Sequence, residues 1–284
     1  MGDAYGMSCE YLKHPKDDAV REAALRFEGY GRHPVHKLEP GQYTDDTQMS
    51  IAVAEVLAGF GRTGPGSAAS LEHMFADSFV RCYLRDKRDG YSRGLQGILD
   101  RCLDGNDLLR LADRTSDKNG AAMRSVPLGV IDDPELVVRI ASRQAGVTHY
   151  AGGVSAAVSV ALMSHYTLHC GAPLSDMPEW IGRWMIHGTP WRWAGRPVKE
   201  PNVGMATASA VLTLVSEEKS LLDIARKAIE WGGDVDSVLS IAWGVASARM
   251  KEPLPDFFET GLENGPYGKG FLRGLGQRLM EAFQ

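Results

Sequence analysis

Cysteine is scarce in this sequence and never forms a short paired motif. The four cysteines, Cys9, Cys82, Cys102 and Cys170, lie far apart, and no C-x-x-C pair occurs. Disulfide-rich domains and cysteine-based zinc sites depend on closely spaced cysteines, so we expect neither in this protein. The four residues therefore indicate free thiols in a reducing compartment, and we predict a cytoplasmic protein.

Long hydrophobic runs and an excess of positive charge are missing as well. The most nonpolar stretch, residues 154–163, is too short to cross a bilayer, which takes about 20 apolar residues. No basic segment followed by an apolar run marks a signal peptide near the start. The formal net charge of -5 argues against a broad basic surface for nucleic acid. We therefore expect no membrane and no nucleic-acid partner.

Strand signals are weak, and helical signals take their place. No series of alternating β-branched segments joined by two-residue turns occurs in the sequence. Nonpolar residues instead recur at helical spacing, for example over residues 49–57, 206–215 and 221–229. No linker divides the chain. We therefore predict one compact all-α domain over residues 1–284.

Two segments rich in glycine, serine and proline are predicted loops, residues 59–70 and 188–204. The second contains Trp191 and Trp193. Aromatic side chains in such a loop could recognise a partner, or they could pack onto the body of the protein. Both interpretations stay open from the sequence.

Two acidic clusters stand directly before predicted helices. Residues 44–47 (TDDT) precede the helix at 49–57, and residues 234–237 (DVDS) precede a helix predicted over 238–249. Helix capping is one interpretation, because aspartate, serine and threonine side chains accept hydrogen bonds from the unpaired amides at a helix N-terminus. Either cluster by itself is explained well enough in this way.

Together the two clusters carry more negative charge than capping requires. A cap uses one side-chain oxygen, whereas adjacent carboxylates on a short turn repel each other unless a cation lies between them. The donors are all oxygens, without histidine or cysteine, and such a set suits Mg²⁺ or Mn²⁺ rather than Zn²⁺. The D-x-D spacing could serve neighbouring metals about 3.5–4 Å apart. The pair of clusters therefore indicates a site for divalent cations.

The clusters belong to a set of motifs that resembles the ADP-ribosylglycohydrolases, which include the dinitrogenase-reductase-activating glycohydrolases. Residues 44–47 match the family's T-D-D-T, and residues 232–237 match its G-G-D-x-D-[ST]. Residues 2–10 resemble G-D-A-x-G-x-x-x-E, residues 119–129 resemble N-G-A-x-M-R…P-L-G, and Thr148-His149 precedes a helix of small residues. Because the motifs run in the family's order over nearly the whole chain, the resemblance is specific.

The resemblance implies an orthogonal all-α bundle with a binuclear site for two Mg²⁺ or Mn²⁺ ions. The implied metal ligands are Thr44, Asp45, Asp46, Asp234, Asp236 and Ser237. The implied substrate is ADP-ribosylated protein, and a metal-bound water would attack C1″ of the distal ribose. We favour arginine as the modified side chain. Serine-linked ADP-ribose, O-acetyl-ADP-ribose, and a non-catalytic ADP-ribose-binding or toxin-blocking protein stay open as alternatives.

The resemblance also suggests roles for residues outside the metal ligands. Glu10 is the candidate to orient or deprotonate the water, with Asp45 and Asp46 as competing candidates; the plain alternative for Glu10 is a surface glutamate. We expect Arg124 to pair with a phosphate or a carboxylate. A monomer is expected. The predicted substrate contacts, which could also be plain turns or structural residues, are Asn119, Gly120, His149, Gly152 and Gly153.

Overall fold

The computed structural model describes residues 1–12, 17–64, 68–185, 192–193, 195, 197–198 and 203–284. Within these ranges the chain forms α-helices and short 3₁₀ turns, with two isolated bridges and no β-strand, so the all-α prediction is confirmed. The helices are α1 (Gly2–Gly6), α2 (Asp18–Leu25), α3 (Asp45–Phe60), α4 (Ala68–Arg85), α5 (Arg93–Leu99), α6 (Gly105–Leu111), α7 (Pro134–Gly146), α8 (Ala151–His169), α9 (Met177–Gly182), α10 (Val203–Glu217), α11 (Leu221–Trp231), α12 (Val235–Ala246), α13 (Phe257–Thr260) and α14 (Lys269–Ala282).

Three helices, α3, α8 and α12, form the centre of the fold and are buried over most of their length. Their residues are nonpolar or small on every face, which is the pattern of a helix enclosed by neighbours rather than lying on a surface. The large hydrophobic core runs from Ala4 in α1 to Leu279 in α14. Both ends of the chain therefore pack into the same core. Among the described residues, no helix is long and nonpolar enough to span a membrane.

Helix α1 lies directly against the start of α12, and glycine makes this approach possible. A Cβ atom added at Gly6 would stand only 2.6 Å from the Cα atom of Asp236. Any larger residue would push the two helices apart. The close packing brings the residues just after α1, including Glu10, beside the N-terminus of α12.

The two predicted loops are shorter than the sequence indicated. Helix α3 continues to Phe60 and stops where Gly61 takes a positive φ of 49°, and α4 already begins at Ala68. Residues 65–67 lie outside the described part of the chain. Likewise α10 begins at Val203, so the end of the second predicted loop is helical. Alanine, serine and valine tolerate a helix that packs on the core, and this packing outweighs the local loop signal.

Most of the second predicted loop, including Trp191, lies outside the described residues. Trp193 is described, and it is buried. Its backbone N–H donates a hydrogen bond to Oγ1 of Thr213 in α10 at 2.8 Å. Trp193 therefore packs onto the body of the protein, which is one of the two interpretations that the sequence left open.

Candidate metal centre

The first acidic cluster lies at the N-terminus of α3, where the sequence placed it. Thr44 is the N-cap residue, and its Oγ1 accepts a hydrogen bond from the N–H of Asp46 at 3.3 Å. The carboxylate of Asp3 in α1 accepts the backbone N–H groups of Thr44 at 3.1 Å and Thr47 at 3.0 Å. Both threonine hydroxyls also donate to it, at 2.9 and 2.6 Å. Capping therefore uses neither the Asp45 nor the Asp46 carboxylate.

Asp3 is a residue whose role the sequence analysis missed. Asp3 appeared only as one position of the motif at residues 2–10. It is 1% exposed, and its carboxylate accepts the hydrogen bonds that fix the N-terminus of α3. The available signal was an acidic residue placed between two glycines in a nonpolar segment. A buried carboxylate needs several hydrogen-bond donors, and this one obtains them from α3.

The second acidic cluster begins α12, and here too capping does not account for the carboxylates. Asp234 is the N-cap residue, but its side chain makes no capping hydrogen bond. Its Oδ2 instead accepts from Nδ2 of Asn119 at 2.9 Å and from the Tyr11 hydroxyl at 3.4 Å. Gly232 and Gly233, with φ of 71° and 88°, supply the sharp turn that aims Asp234 this way.

The N-termini of α3 and α12 converge. The hydroxyl of Ser237 donates to Oδ2 of Asp46 at 3.3 Å, and oxygens of Glu10, Asp234 and Asp236 lie within 4.8 Å of one another. Oδ1 of Asp46 and Oδ1 of Asp236 are buried and have no hydrogen-bond partner. Leaving such atoms unpaired costs free energy, and grouped carboxylate oxygens are the ligands that hard divalent cations prefer. The donor set therefore fits Mg²⁺ or Mn²⁺.

The electrostatics of the cluster are those of buried carboxyl groups that lack a countercharge. Burial raises the pKa of Asp45, Asp46 and Asp236 well above the ordinary carboxyl range. Nearby negative charge raises it further, with Asp3 the foremost neighbour of the first two residues and Glu10 that of Asp236. The protein by itself thus disfavours the ionised forms. A bound cation would reverse this preference by attracting the charged carboxylates.

A cavity of about 230 Å³ is lined by residues from both clusters. We call Asp45, Asp46, Asp234 and Asp236 the acidic wall. The cavity is also lined by these other residues that the sequence analysis had selected: Glu10, Asn119, Gly120, His149 and Ser237. Further lining residues had not been selected, although most are neighbours of the motifs: Tyr11, Gly90, Ser92, Leu95, Ser116, Lys118 and Met123.

Three of the selected residues do not line this cavity. The Thr44 hydroxyl donates to Asp3, as described above. Gly152 and Gly153 lie in the first turn of α8, where the Gly153 N–H donates to the carbonyl of Tyr150 at 2.9 Å. A Cβ atom at Gly153 would stand 2.8 Å from Cδ2 of His149, so this glycine allows the histidine ring to pack against α8. The ligand-binding roles of the three stay predictions.

We call Asn119, Gly120 and His149 the neutral wall, since none of them carries a charge there. Burial, aided by the nearby cation of Arg124, lowers the pKa of His149 to about 3. Nη2 of Arg124 donates to Oγ1 of Thr148 at 2.8 Å, and that oxygen lies 2.8 Å from Nδ1 of His149. Arginine can only donate, and among the described contacts of the Thr148 hydroxyl Nδ1 is the one acceptor for its proton, so we assign that proton to the bond with Nδ1. This pattern assigns the His149 proton to Nε2.

Arg124 contradicts the expectation that it pairs with a phosphate or a carboxylate. It is fully buried, with its guanidinium 4.2 Å from the centre of the Phe79 ring. Its hydrogen bonds go to neutral acceptors, the side-chain and backbone oxygens of Gln144 at 2.7 and 3.1 Å, and Thr148. Burial lowers its pKa to about 9. Arg124 supports the neutral wall from behind and does not line the cavity.

A larger cavity, of about 660 Å³, lies elsewhere and has a different character. Asp3 and Thr47 border it, but much of its lining is nonpolar, with Met123, Trp243 and Phe258 among the residues. No residue of the acidic wall lines it. Size alone would favour this cavity, whereas the grouped carboxylates and the partnerless oxygens favour the smaller one as the site of chemistry.

Comparison with known proteins agrees with the geometry. A family model described as ADP-ribosylglycohydrolase matches residues 1–284. No curated protein matches the chain. A solved structure named "ADP-ribosylglycohydrolase-related protein complex" is similar over 100% of this chain and 94% of its own, with a TM-score of 0.72 and 23% sequence identity. At that identity, the structural likeness shows the fold alone.

Proposed function

The chain belongs to the ADP-ribosylglycohydrolase family, and from this premise we propose that it removes ADP-ribose from modified protein side chains, with arginine the favoured acceptor. Family membership supports a hydrolase acting on a glycosidic bond of ADP-ribose. The observation that carries the proposal is the convergence of two acidic helix N-termini with partnerless oxygens on Asp46 and Asp236.

We infer that the acidic wall and Ser237 hold two Mg²⁺ or Mn²⁺ ions. Thr44 is the remaining predicted ligand: its hydroxyl donates to Asp3 and accepts from the Asp46 N–H, which leaves one lone pair available. When bound, such ions orient sugar hydroxyls and lower the pKa of a coordinated water. Bound cations would favour the ionised forms of Asp45, Asp46 and Asp236, since they offset the burial and the repulsion that raise the pKa values of these carboxyls.

Glu10 is the proposed acceptor of the proton released by the attacking water. Its carboxylate lines the cavity and lies in one group with Asp234 and Asp236. The water oxygen would bond to C1″ while the C1″–N bond breaks and its electron pair leaves with the guanidine. The proton held by Glu10 would then pass to the guanidine nitrogen. Asp45 and Asp46 remain competing acceptors, but their oxygens are needed for the metals.

The neutral wall is proposed to hold the rest of the ligand. Nε2–H of His149 would donate to a ribose or phosphate oxygen, because the lowered pKa leaves it uncharged and its other nitrogen is engaged by Thr148. Asn119 already donates to Asp234 and would join the sugar to the acidic wall. Gly120 and Gly152 are proposed to approach the pyrophosphate through backbone amides. The Gly153 N–H already donates to Tyr150, so Gly153 is proposed to contribute through its small size beside His149.

The test is hydrolysis of defined peptides that carry ADP-ribose on arginine or on serine, with Mg²⁺ or with chelator. We expect ADP-ribose release from the arginine-linked peptide that stops when chelator is added. Faster release from the serine-linked peptide would reverse the acceptor assignment while keeping the chemistry. If calorimetry shows that ADP-ribose binds but no substrate is hydrolysed in Mg²⁺ or Mn²⁺, the chain is a non-catalytic ADP-ribose-binding protein and not an enzyme.

A further inference from the structure

A buried histidine stands behind Glu10 and takes no part in the steps above. His33 lies in the irregular segment between α2 and α3 and belongs to none of the motifs. Its side chain is 2% exposed, and its Nε2 lies 2.7 Å from Oε2 of Glu10, whose side chain is 18% exposed. The contact joins residues 23 positions apart in sequence. The candidate proton acceptor is therefore held from outside the cavity by one imidazole.

The other nitrogen of the His33 ring determines which way this hydrogen bond runs. The backbone N–H groups of Val35 and His36 both point at Nδ1, at 2.9 and 2.8 Å. A ring nitrogen that accepts hydrogen bonds carries no proton, so the pattern assigns the ring's proton to Nε2. Nε2–H consequently donates, and Oε2 of Glu10 accepts. The loop backbone thus fixes both the position and the tautomer of the ring.

The backbone beside Glu10 is fixed as well. Tyr11 has a positive φ of 49°, and its N–H donates to the carbonyl of Gly233 at 2.8 Å. A residue with a β-carbon rarely adopts this conformation unless its surroundings impose it. Residue 10 is therefore held at its backbone by the turn that precedes Asp234 and at its carboxylate by His33. A glutamate tied at both ends has few rotamers left.

We propose that His33 is a positioning residue for the reaction: its Nε2–H holds the Glu10 carboxylate facing the acidic wall, with the loop amides of Val35 and His36 setting the donor. The inference rests on the proposed role of Glu10 as proton acceptor. His33 itself touches no reacting atom. It acts by keeping one carboxylate oxygen engaged, so that the carboxylate keeps a single orientation toward the cavity.

Two variants test the two ring nitrogens of His33 separately. His33→Gln keeps a donor near the position of Nε2 but loses the acceptor for the loop amides. His33→Asn keeps an acceptor near the position of Nδ1 but cannot reach Glu10. We expect His33→Asn and His33→Ala to lower kcat about tenfold or more, since a general base supplies about 10²- to 10⁴-fold. KM and Mn²⁺ affinity should stay within about twofold, because the substrate and metal contacts remain.

His33→Gln is expected to keep kcat within roughly threefold of the wild type, because the donor to Glu10 remains. Val35→Ala is the matched control in the same loop, since its backbone N–H also contacts Nδ1 of His33 while the residue is 81% exposed, whereas the His36 ring packs against the His33 ring. Equal activity of His33→Asn and His33→Gln would overturn the proposal. A fall in Mn²⁺ affinity that accounts for the whole loss of kcat would also overturn it, because His33 would then be supporting the metals.

A readout that needs no turnover keeps this inference separate from the proposed function. Long-range ¹H–¹⁵N spectra of histidine-labelled protein distinguish the two neutral tautomers. We expect His33 to be the Nε2–H tautomer, with an Nε2–H resonance that moves in Glu10→Gln. If this holds and no ADP-ribosylated peptide is cleaved, the proposed function fails while the pairing stands. An Nδ1–H tautomer in the wild type would overturn the pairing at any level of activity.

Discussion

The acidic wall and the neutral wall line one cavity, yet they differ in what the protein has supplied to each. The acidic wall ends in buried oxygens of Asp46 and Asp236 that have no hydrogen-bond partner. On the neutral wall, Thr148 and Arg124 already fix the orientation and the proton of His149. Unpaired buried oxygens are costly, whereas a donor oriented in advance needs no rearrangement when a ligand arrives.

The difference indicates what each wall needs before it can bind a substrate. The acidic wall is complete only with cations, so its behaviour should depend on metal and on pH. The neutral wall needs no cation, although Nη1 of Arg124 behind it is also buried without a hydrogen-bond partner. Its behaviour should therefore depend on the hydrogen bonds behind His149. Variants on the two walls should therefore fail in different ways.

The largest effect is expected from removing a carboxylate of the acidic wall. Asp45→Ala or Asp234→Ala should lower kcat at least about 100-fold, since even the outer partners of metal ligands typically contribute about 10- to 100-fold. The fold should survive in chelator, because each change removes a buried carboxylate that its neighbours repel. Initial rates of ADP-ribose release and thermal melts measure the two quantities.

Asp132→Ala is the matched control, because Asp132 is exposed and lies outside the small cavity. It should leave the rate unchanged. If Asp45→Ala or Asp234→Ala cleaves at the wild-type rate with added Mg²⁺, the two-metal assignment is wrong.

The next effect is a dependence of stability on pH in the absence of metal. Asp46 and Asp236 have folded-state pKa values raised mainly by burial, so the folded protein holds protons that the unfolded chain releases above about pH 4. The free energy of unfolding should therefore fall as pH rises from about 4 toward the raised values. Mn²⁺ should restore it increasingly at higher pH. Melts with Mn²⁺ or chelator across this range measure the effect.

Asp236→Asn serves as the comparison for this experiment, since it removes one of the buried protons at nearly the same size. The fall in stability with pH should be shallower in Asp236→Asn than in the wild type. An equal slope in both proteins would contradict the assignment of the pH dependence to the acidic wall.

The smallest effect is expected from the support of the neutral wall. Thr148→Val keeps the shape of the side chain but removes the hydroxyl that reaches Nδ1 of His149 and accepts from Arg124, whose Nη2 keeps its bond to the Gln144 carbonyl. One such hydrogen bond contributes about 1 kcal/mol, so kcat/KM should fall roughly fivefold. Thr148→Ser should keep the wild-type value, and Mn²⁺ binding should be unchanged in both. A loss of Mn²⁺ affinity in Thr148→Val would show that the two walls are not independent.

The helical class and the two acidic helix starts could be predicted because their signals are local. A helix repeats its nonpolar residues every three or four positions. Residues 44–47 and 234–237 contain the aspartate, serine and threonine that are typical of a helix N-terminus. The order of the family motifs then joined the two clusters into one expected site. Helix packing brings the two clusters together, with Ser237 donating to Asp46 across 191 positions of sequence, and their role as a metal site stays a prediction.

The residues that support the site could not be predicted, because their partners are distant in sequence. Asp3 caps a helix that begins more than 40 positions later, and His33 reaches back 23 positions to Glu10. The nonpolar segment around Asp3 indicates burial but not its partner, and nothing local distinguishes His33 from any other loop histidine. Arg124 misled the sequence analysis for a related reason: its complete burial selects neutral acceptors, and burial depends on the packing of the whole fold.

The most direct measurement of the central claim is a calorimetric titration of the metal-free protein with Mn²⁺. We expect about two ions bound per chain, with binding abolished or reduced to one ion in Asp45→Ala and Asp234→Ala. Wild-type stoichiometry and affinity in both variants would contradict the claim, because the acidic wall would then not be the place where the cations are held.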